Sequence, residues 1–250
     1  MANQTDSYQP RIEKIKRVWT SDAKLYVPHE KTEVGFALPS FGPGTYPTVG
    51  QDILSNNLHL PSGPHTASLV HVVYCNPPKD DKVGFVDNVK RIMRNNWLWE
   101  YEVNYWTSKG LFVIFDKDAK GKNLDIPLSE LEKMILVANG AKEIPGSELR
   151  FSADKNVRFA PIGSYKLGEL TPEELAKDGA IIIRHDFKGA EQLGEVSATF
   201  PNKPYVFGLN IKEGQSSELR VSALGGNVVR LHVVGFNWYD DYRSHAFGVF

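Results

Sequence analysis

Three hairpin signals constrain the fold more than any other feature of the chain. Each signal consists of two apolar, aromatic or β-branched runs joined by a short polar or glycine-containing turn sequence. The paired runs are 97–106 with 111–115, 149–152 with 157–160, and 219–224 with 228–234. Side chains of these types favour strands, and turns this short join antiparallel neighbours. The sequence therefore predicts mostly antiparallel sheets.

Helical patterns separate the hairpins. Apolar residues at helical spacing predict amphipathic helices over 83–95 and 189–200. Capping signals at Ser129 and Thr171 mark the starts of two shorter helices. Residues 64–75 begin with a proline, as a helix often does, but their β-branched side chains suit a strand equally well. The fold class predicted from these elements is α+β with several short amphipathic helices and a C-terminal strand built into a sheet.

Three other segments lead to local predictions. Residues 11–17 lie in a stretch with apolar residues at helical spacing, which predicts a solvated helix. Residues 39–47 are rich in Gly and Pro and predict a loop. The apolar run 180–184 predicts a strand, and a helix and another strand follow it, so a parallel β-α-β unit is expected there.

His185 and Asp186 directly follow the predicted strand 180–184. Polar residues at the carboxyl end of a strand are where α/β sheets place their sites. As neighbours in a strand, however, the two side chains would point to opposite faces. The pair therefore predicts at most one binding residue.

The best candidate for a boundary between two halves is the segment 141–149. It separates an N-terminal α+β half, 11–145, from a C-terminal α+β half, 146–250, and the two can equally form one continuous domain. Residues 1–10 are polar and without periodicity, which predicts a disordered tail.

Composition and charge narrow the function classes. Lys and Arg number 29 against 30 Asp and Glu, and the resulting net charge of -1 argues against a protein that grips duplex nucleic acid through its phosphates. No apolar run approaches the length of about 18 residues that a membrane helix needs. The single cysteine, Cys75, and the absence of a signal-peptide pattern predict a soluble cytoplasmic protein without a membrane partner.

The loop that follows the last hairpin concentrates aromatic and ionisable residues. Its aromatic and cationic members could bind a ligand by stacking and charge, and these are Trp238, Tyr239, Tyr242 and Arg243. Imidazole and carboxylate groups close together suit a divalent metal, and the candidate ligands are His232, Asp240, Asp241 and His245. No other cofactor is predicted.

No complete catalytic motif occurs in the chain, which leaves two hypotheses for its function. The first is a non-catalytic intracellular binding or assembly protein that uses the aromatic C-terminal loop. Its partner would be a protein, a small molecule or a second copy of the chain. The second is a metal-assisted hydrolase with its Asp and His site in the same loop.

Overall fold

The computed structural model of the protein describes residues 9–16, 21–29, 31–236 and 240–250, which form fourteen strands and six α-helices. The strands are β1 (Arg11–Lys16), β2 (Ser21–His29), β3 (Thr32–Leu38), β4 (Phe41–Gly44), β5 (Trp97–Thr107), β6 (Gly110–Phe115), β7 (Lys142–Glu143), β8 (Arg150–Phe151), β9 (Val157–Pro161), β10 (Gly168–Glu169), β11 (Tyr205–Phe207), β12 (Glu218–Gly226), β13 (Leu231–Phe236) and β14 (Ser244–Ala246). The helices are α1 (Tyr46–Ser55), α2 (Gly63–Cys75), α3 (Phe85–Asn95), α4 (Leu128–Met134), α5 (Pro172–Leu175) and α6 (Gly179–Ser197).

Most of the strands join one large sheet. Its order is β10-β11-β13-β12-β5-β6-β9-β8-β7, and β14 pairs with both β5 and β4. Strands β1, β2 and β3 form a second, antiparallel sheet. Among the described strands, the parallel pairs are β11 with β13 and β14 with β5. The predicted α+β class, with mostly antiparallel sheets and a C-terminal strand in a sheet, is confirmed, and so are the three hairpins.

The strand predicted over 180–184 is wrong, because these residues open helix α6. A short apolar run fits a buried helix as well as a buried strand, and the capping residue decides between them here. The side chain of Asp178 accepts the backbone N–H groups of Ala180 at 2.9 Å and Ile181 at 3.3 Å, which starts the helix. The expected β-α-β unit is therefore absent, although β11 does run parallel to β13.

Two other local predictions are also wrong, and one ambiguity is resolved. Residues 11–16 form strand β1, which pairs with β2 over its whole length, so tertiary pairing overrides the helical spacing. Residues 39–47 contain β4 and the start of α1 rather than a continuous loop. Residues 64–75 belong to helix α2.

Helices cover both faces of the large sheet at β5. Since alternate residues of a strand point to opposite faces, the side chains of β5 join two different cores. Leu98 and Trp106 join the main core, to which α2, α3 and α6 contribute. Trp99 and Tyr101 join a second core with α1 on the other face. The side chains that lie between Leu98 and Trp106 on the α6 face are therefore enclosed by protein.

The C-terminal segment ties β5 to the first sixty residues. Strand β14 lies between β5 and β4, and Val249 forms bridges to both Phe36 and His59. Phe247 is buried, and its ring centroid lies 5.4 Å from that of Phe85. These contacts make the segment part of the core.

The domain boundary predicted near residue 145 stays a prediction. It coincides with the turn between β7 and β8, which are paired strands of the large sheet. Residues 1–8 of the predicted tail lie outside the described residues. In the part of the chain that the structure describes, no helix combines the length and apolar character needed to span a membrane.

Replacing Phe247 with Ala should lower the free energy of unfolding by about 3–5 kcal/mol, because a buried ring is lost and a cavity is left. Urea denaturation followed by circular dichroism measures this loss. Tyr242→Ala is the control, since the Tyr242 side chain is 72% exposed and its loss should cost no more than about 0.5 kcal/mol. Equal stability of the two variants would contradict the role assigned to the C-terminal segment.

Candidate functional site

Three polar side chains lie on the α6 face of β5, between Leu98 and Trp106. They are Glu100, Glu102 and Asn104, and all are fully buried. Residues two apart in a strand share a face, so all three point toward the helices of the main core. Burying a charge or an amide is costly unless it is paired, so this face of β5 requires polar partners from the layer above it.

Helix α6 supplies two of the partners. Nε2 of His185 lies 2.9 Å from Oε1 of Glu100, and both side chains are fully buried. Nε of Arg184 donates to Oδ1 of Asn104 at 2.7 Å. Two consecutive residues of α6 thus bind two residues of β5 that lie four positions apart on the same face.

Strand β9 supplies the third partner. Arg158 forms an ion pair with Oε1 of Glu102, and its Nη1 donates to the carbonyl oxygen of Arg184 at 3.1 Å. Arg158 therefore links β5, β9 and α6. We call the six residues the polar layer: Glu100, Glu102, Asn104, Arg158, Arg184 and His185.

Helix α6 is broken directly after the polar layer. Asp186 has φ 59° and ψ −177°, a backbone conformation that residues other than glycine rarely adopt. Its Oδ1 accepts the backbone N–H of Gly189 at 2.7 Å and so caps the second part of the helix. Because of the break, the carbonyl oxygen of Arg184 can accept the hydrogen bond from Arg158. A second helical segment then starts beside β9.

The start of α2 approaches the same place, and glycine at position 63 makes this approach feasible. A Cβ on Gly63 would lie 2.3 Å from the carbonyl oxygen of Arg184 and 2.9 Å from Oε2 of Glu102. Any larger residue would push α2 away from the break in α6. Gly63 therefore brings the first turn of α2 close to Glu102.

These elements border an open cleft of about 580 Å³. One side is formed by the first turn of α2, the break in α6 and the end of β2. The other side is formed by the hairpins that connect β7, β8 and β9. We call it the cleft, and the residues that line it are His29, Ser62, Pro64, Glu102, Lys142, Ile144, Phe151, Ser152, Ala153, Asp154, Lys155, Asn156, Arg158, Asp186, Phe187 and Lys188.

The floor of the cleft is the ion pair of Glu102 and Arg158, which is the part of the polar layer that reaches it. Burial raises the pKa of Glu102, and the charge of Arg158 opposes that rise. Oε1 binds Arg158, but Oε2 has no hydrogen-bond partner among the described residues. A buried polar atom without a partner is costly. Oε2 of Glu100 and the Nη atoms of Arg184 also lack partners among the described residues, but Glu102 is the one of these three residues that lines the cleft, so its Oε2 is the candidate to bind a ligand.

The mouth of the cleft carries exposed lysines and an exposed aromatic ring. Lys142 and Lys155 are exposed, and the Phe187 side chain is 45% exposed. The carboxylate of Asp154 is engaged by its own turn, where it accepts from Oγ of Ser152 at 2.6 Å, and these local hydrogen bonds lower its pKa. Lysine ammonium groups and apolar surface are therefore more accessible at the mouth than hydrogen-bond acceptors are.

A histidine pair borders the α2 side of the cleft. Nδ1 of His29 lies 3.0 Å from Oγ of Ser68, and the ring centroids of His29 and His65 are 4.9 Å apart. Burial, with a smaller contribution from His29, lowers the pKa of His65 to about 4. His65 is therefore neutral near pH 7 and adds no charge next to the cleft.

The residues predicted to bind a ligand in the C-terminal loop are only partly described. Trp238 and Tyr239 lie outside the described residues. Tyr242 and Arg243 are exposed, and Arg243 donates its backbone N–H to Oδ1 of Asp241 at 2.9 Å. The described part of this loop does not line the cleft and forms a turn at the surface.

The four predicted metal ligands do not converge. Three steps between neighbouring strands separate His232 on β13 from His245 on β14, which is roughly 14 Å at about 4.8 Å a step. Burial lowers the pKa of both histidines. Asp240 is exposed, and Asp241 binds Arg243. Within the described residues, no three His, Cys, Asp or Glu side chains are arranged to hold a metal ion.

His185 and Asp186 have separate roles, for a different reason than the one predicted. They lie on a helix, and the break between its two parts directs His185 into the polar layer and Asp186 to the wall of the cleft. Glu102 and Arg158 were missed because single polar residues in strands usually face solvent. The available signal was the alternation of Glu100, Glu102 and Asn104 with large apolar residues in one strand.

The chain matches no protein-family model, no curated protein and no solved structure. The case for a site in the cleft is therefore physical. It consists of a buried carboxylate with a free oxygen atom, a strained residue in the wall and a cationic mouth. Strain of this kind is commonly retained at functional sites.

Replacing Asp186 with Ala should lower the free energy of unfolding by about 1–2 kcal/mol, because the variant loses the cap on Gly189 but keeps the strained backbone. Asp186→Gly should be more stable than Asp186→Ala, since glycine adopts this conformation without strain. Chemical denaturation of the three proteins checks this order. Wild-type stability in Asp186→Ala would argue against the cap, and equal stability of the Ala and Gly variants would argue against the strain.

The raised pKa of Glu102 predicts a pH dependence of stability. Its contribution is fully present below its ordinary pKa of 4.5 and is lost as the pH rises through the higher folded-state value. Within that window each pH unit costs up to about 1.4 kcal/mol. Denaturation curves from pH 3 to 8, spaced at roughly one pH unit, should show this slope in the wild-type protein and not in Glu102→Gln.

Asp154→Asn is the contrasting variant for this experiment. The pKa of Asp154 is lowered, so its contribution is present above its ordinary pKa of 3.8 and is lost only below it. Its effect should therefore lie at the acid end of the profile. A Glu102→Gln profile parallel to that of the wild type above pH 4.5 would contradict the assignment to Glu102.

Proposed function

We propose that the protein is an intracellular binding protein that holds a small molecule in the cleft. The observation that carries the proposal is Oε2 of Glu102, a fully buried acceptor without a described partner at the floor of an open cleft. Small-molecule sites are typically concave and largely apolar, with a few well-placed polar groups. Ile144, Phe151 and Phe187 supply the apolar surface, and Glu102 and Arg158 supply the polar groups.

The preorganised geometry of the cleft supports binding. The polar layer holds Glu102 and Arg158 through bonds to three separate elements, so their positions are set before a ligand arrives. Preorganisation reduces the entropy that binding costs. The break at Asp186 and the close approach at Gly63 are both needed to build the wall, and each restricts the residue type at its position.

The C-terminal loop offers less support for the same class of function. Among the described residues of the loop, Tyr242 is the aromatic one. Its side chain is largely exposed and does not line the cleft. The metal-assisted hydrolase gains no supporting observation, since His232 and His245 lie three strand steps apart and no three His, Cys, Asp or Glu side chains of the described residues are arranged to hold a metal ion. A cytoplasmic location is part of the proposal, and the basis for it is that the chain has one cysteine and therefore no intrachain disulfide.

Native mass spectrometry of the purified protein tests the proposal. After incubation with a filtered small-molecule extract of the expression host, the wild-type protein should carry a mass excess that is lost on denaturation. Ala153→Trp should abolish the excess, because Ala153 is exposed on the cleft wall and an indole there fills the space.

Ala198→Trp is the matched control, since Ala198 is exposed at the end of α6 and does not line the cleft. It should keep the bound mass. Wild-type protein without any bound molecule, or a molecule retained equally by Ala153→Trp, would contradict binding in the cleft.

A further inference from the structure

We propose that the molecule held in the cleft is anionic at one end and carries an N–H or O–H donor at the other, with an apolar ring between them. The donor binds Oε2 of Glu102, and the anion lies at the mouth near Lys142 and Lys155. This inference rests on the proposed function and specifies the ligand class for that site.

The floor of the cleft requires a donor. Glu102 has one oxygen atom bound to Arg158 and the other without a described partner, so it can accept one further hydrogen bond. Arg158 already neutralises much of the carboxylate charge. A full cation is therefore less well matched to this place than a neutral N–H or O–H group, whose hydrogen bond is strengthened by the remaining charge.

The mouth selects an anion. Lys142 and Lys155 form no ion pair with a described residue. The acids beside them are occupied, because Asp154 accepts from Ser152 and Asn156, and Asp186 caps Gly189. Asp154 and Asp186 keep their negative charge, but three of their four carboxylate oxygen atoms already accept hydrogen bonds. The lysines are therefore the charged groups of the mouth that remain free to bind.

The middle of the cleft favours an apolar spacer. Ile144, Phe151 and Phe187 line it, and Phe187 is a large apolar side chain left 45% exposed. Aromatic side chains stack on flat rings as well as on hydrocarbon surface. A ring placed between the two polar ends would cover the exposed part of Phe187.

Three benzene derivatives of nearly equal size test the donor and the anion separately on the same ring. The probe 4-hydroxybenzoate has the donor and the anion, 4-methoxybenzoate lacks the donor, and 4-hydroxybenzamide lacks the anion. Isothermal titration calorimetry at low salt should show that 4-hydroxybenzoate binds the wild-type protein at least about tenfold more tightly than either of the others. This comparison needs no variant, so it holds even where a variant fails to fold.

Two variants locate the ends of the probe. Glu102→Gln should reduce the preference for hydroxyl over methoxy from about tenfold to about twofold or less. The double variant Lys142→Gln/Lys155→Gln should weaken both benzoates and leave 4-hydroxybenzamide unchanged. Lys117→Gln/Lys133→Gln is the matched control, because both lysines are exposed away from the cleft and the change in net charge is the same.

The outcomes separate the two proposals. Equal affinity for all three probes, or no binding of any of them, overturns the ligand class. If native mass spectrometry still shows a molecule displaced by Ala153→Trp, binding in the cleft stands and only the ligand class fails. If both experiments are negative, both proposals fail together.

Discussion

The pairing of the buried polar side chains of β5 with residues of α6 and β9 is the interaction on which the rest of the structure depends. Strand β5 lies in the middle of the large sheet and has three buried polar side chains on one face. Leaving either glutamate unpaired would cost several kcal/mol, which is a large part of the net stability of a domain. The polar layer therefore specifies the position of α6 over the sheet more narrowly than apolar packing would.

The same pairing explains why α6 is not straight. Arg184 and His185 must face β5, and the carbonyl of Arg184 must reach Arg158 on β9. A continuous helix would use that carbonyl for its own hydrogen bond to the residue four positions later. The strained conformation of Asp186 resolves this conflict, and the cap that its side chain provides offsets part of the strain.

Sequence reasoning predicted the regular features of the fold well, because they depend on local signals. The hairpins β5–β6 and β12–β13 and the helix α3 follow from side-chain periodicity and turn residues. The isoleucine run at the start of α6 was misassigned, since a helix buried on all sides shows no periodicity. The cleft could not be predicted in the same way, because Ser62, Glu102, Arg158 and Asp186 lie on four elements that only the tertiary structure brings together.

The bridges of Val249 to Phe36 and His59 also have a consequence for biosynthesis. Partners separated by about two hundred residues are non-local contacts, and such pairings form late and slowly. The edge strands β3 and β4 stay open while the ribosome is still making the residues that will cover them. The nascent chain therefore exposes these strand edges until the residues around Val249 have been made, and binding by a chaperone during that interval would protect it from aggregation.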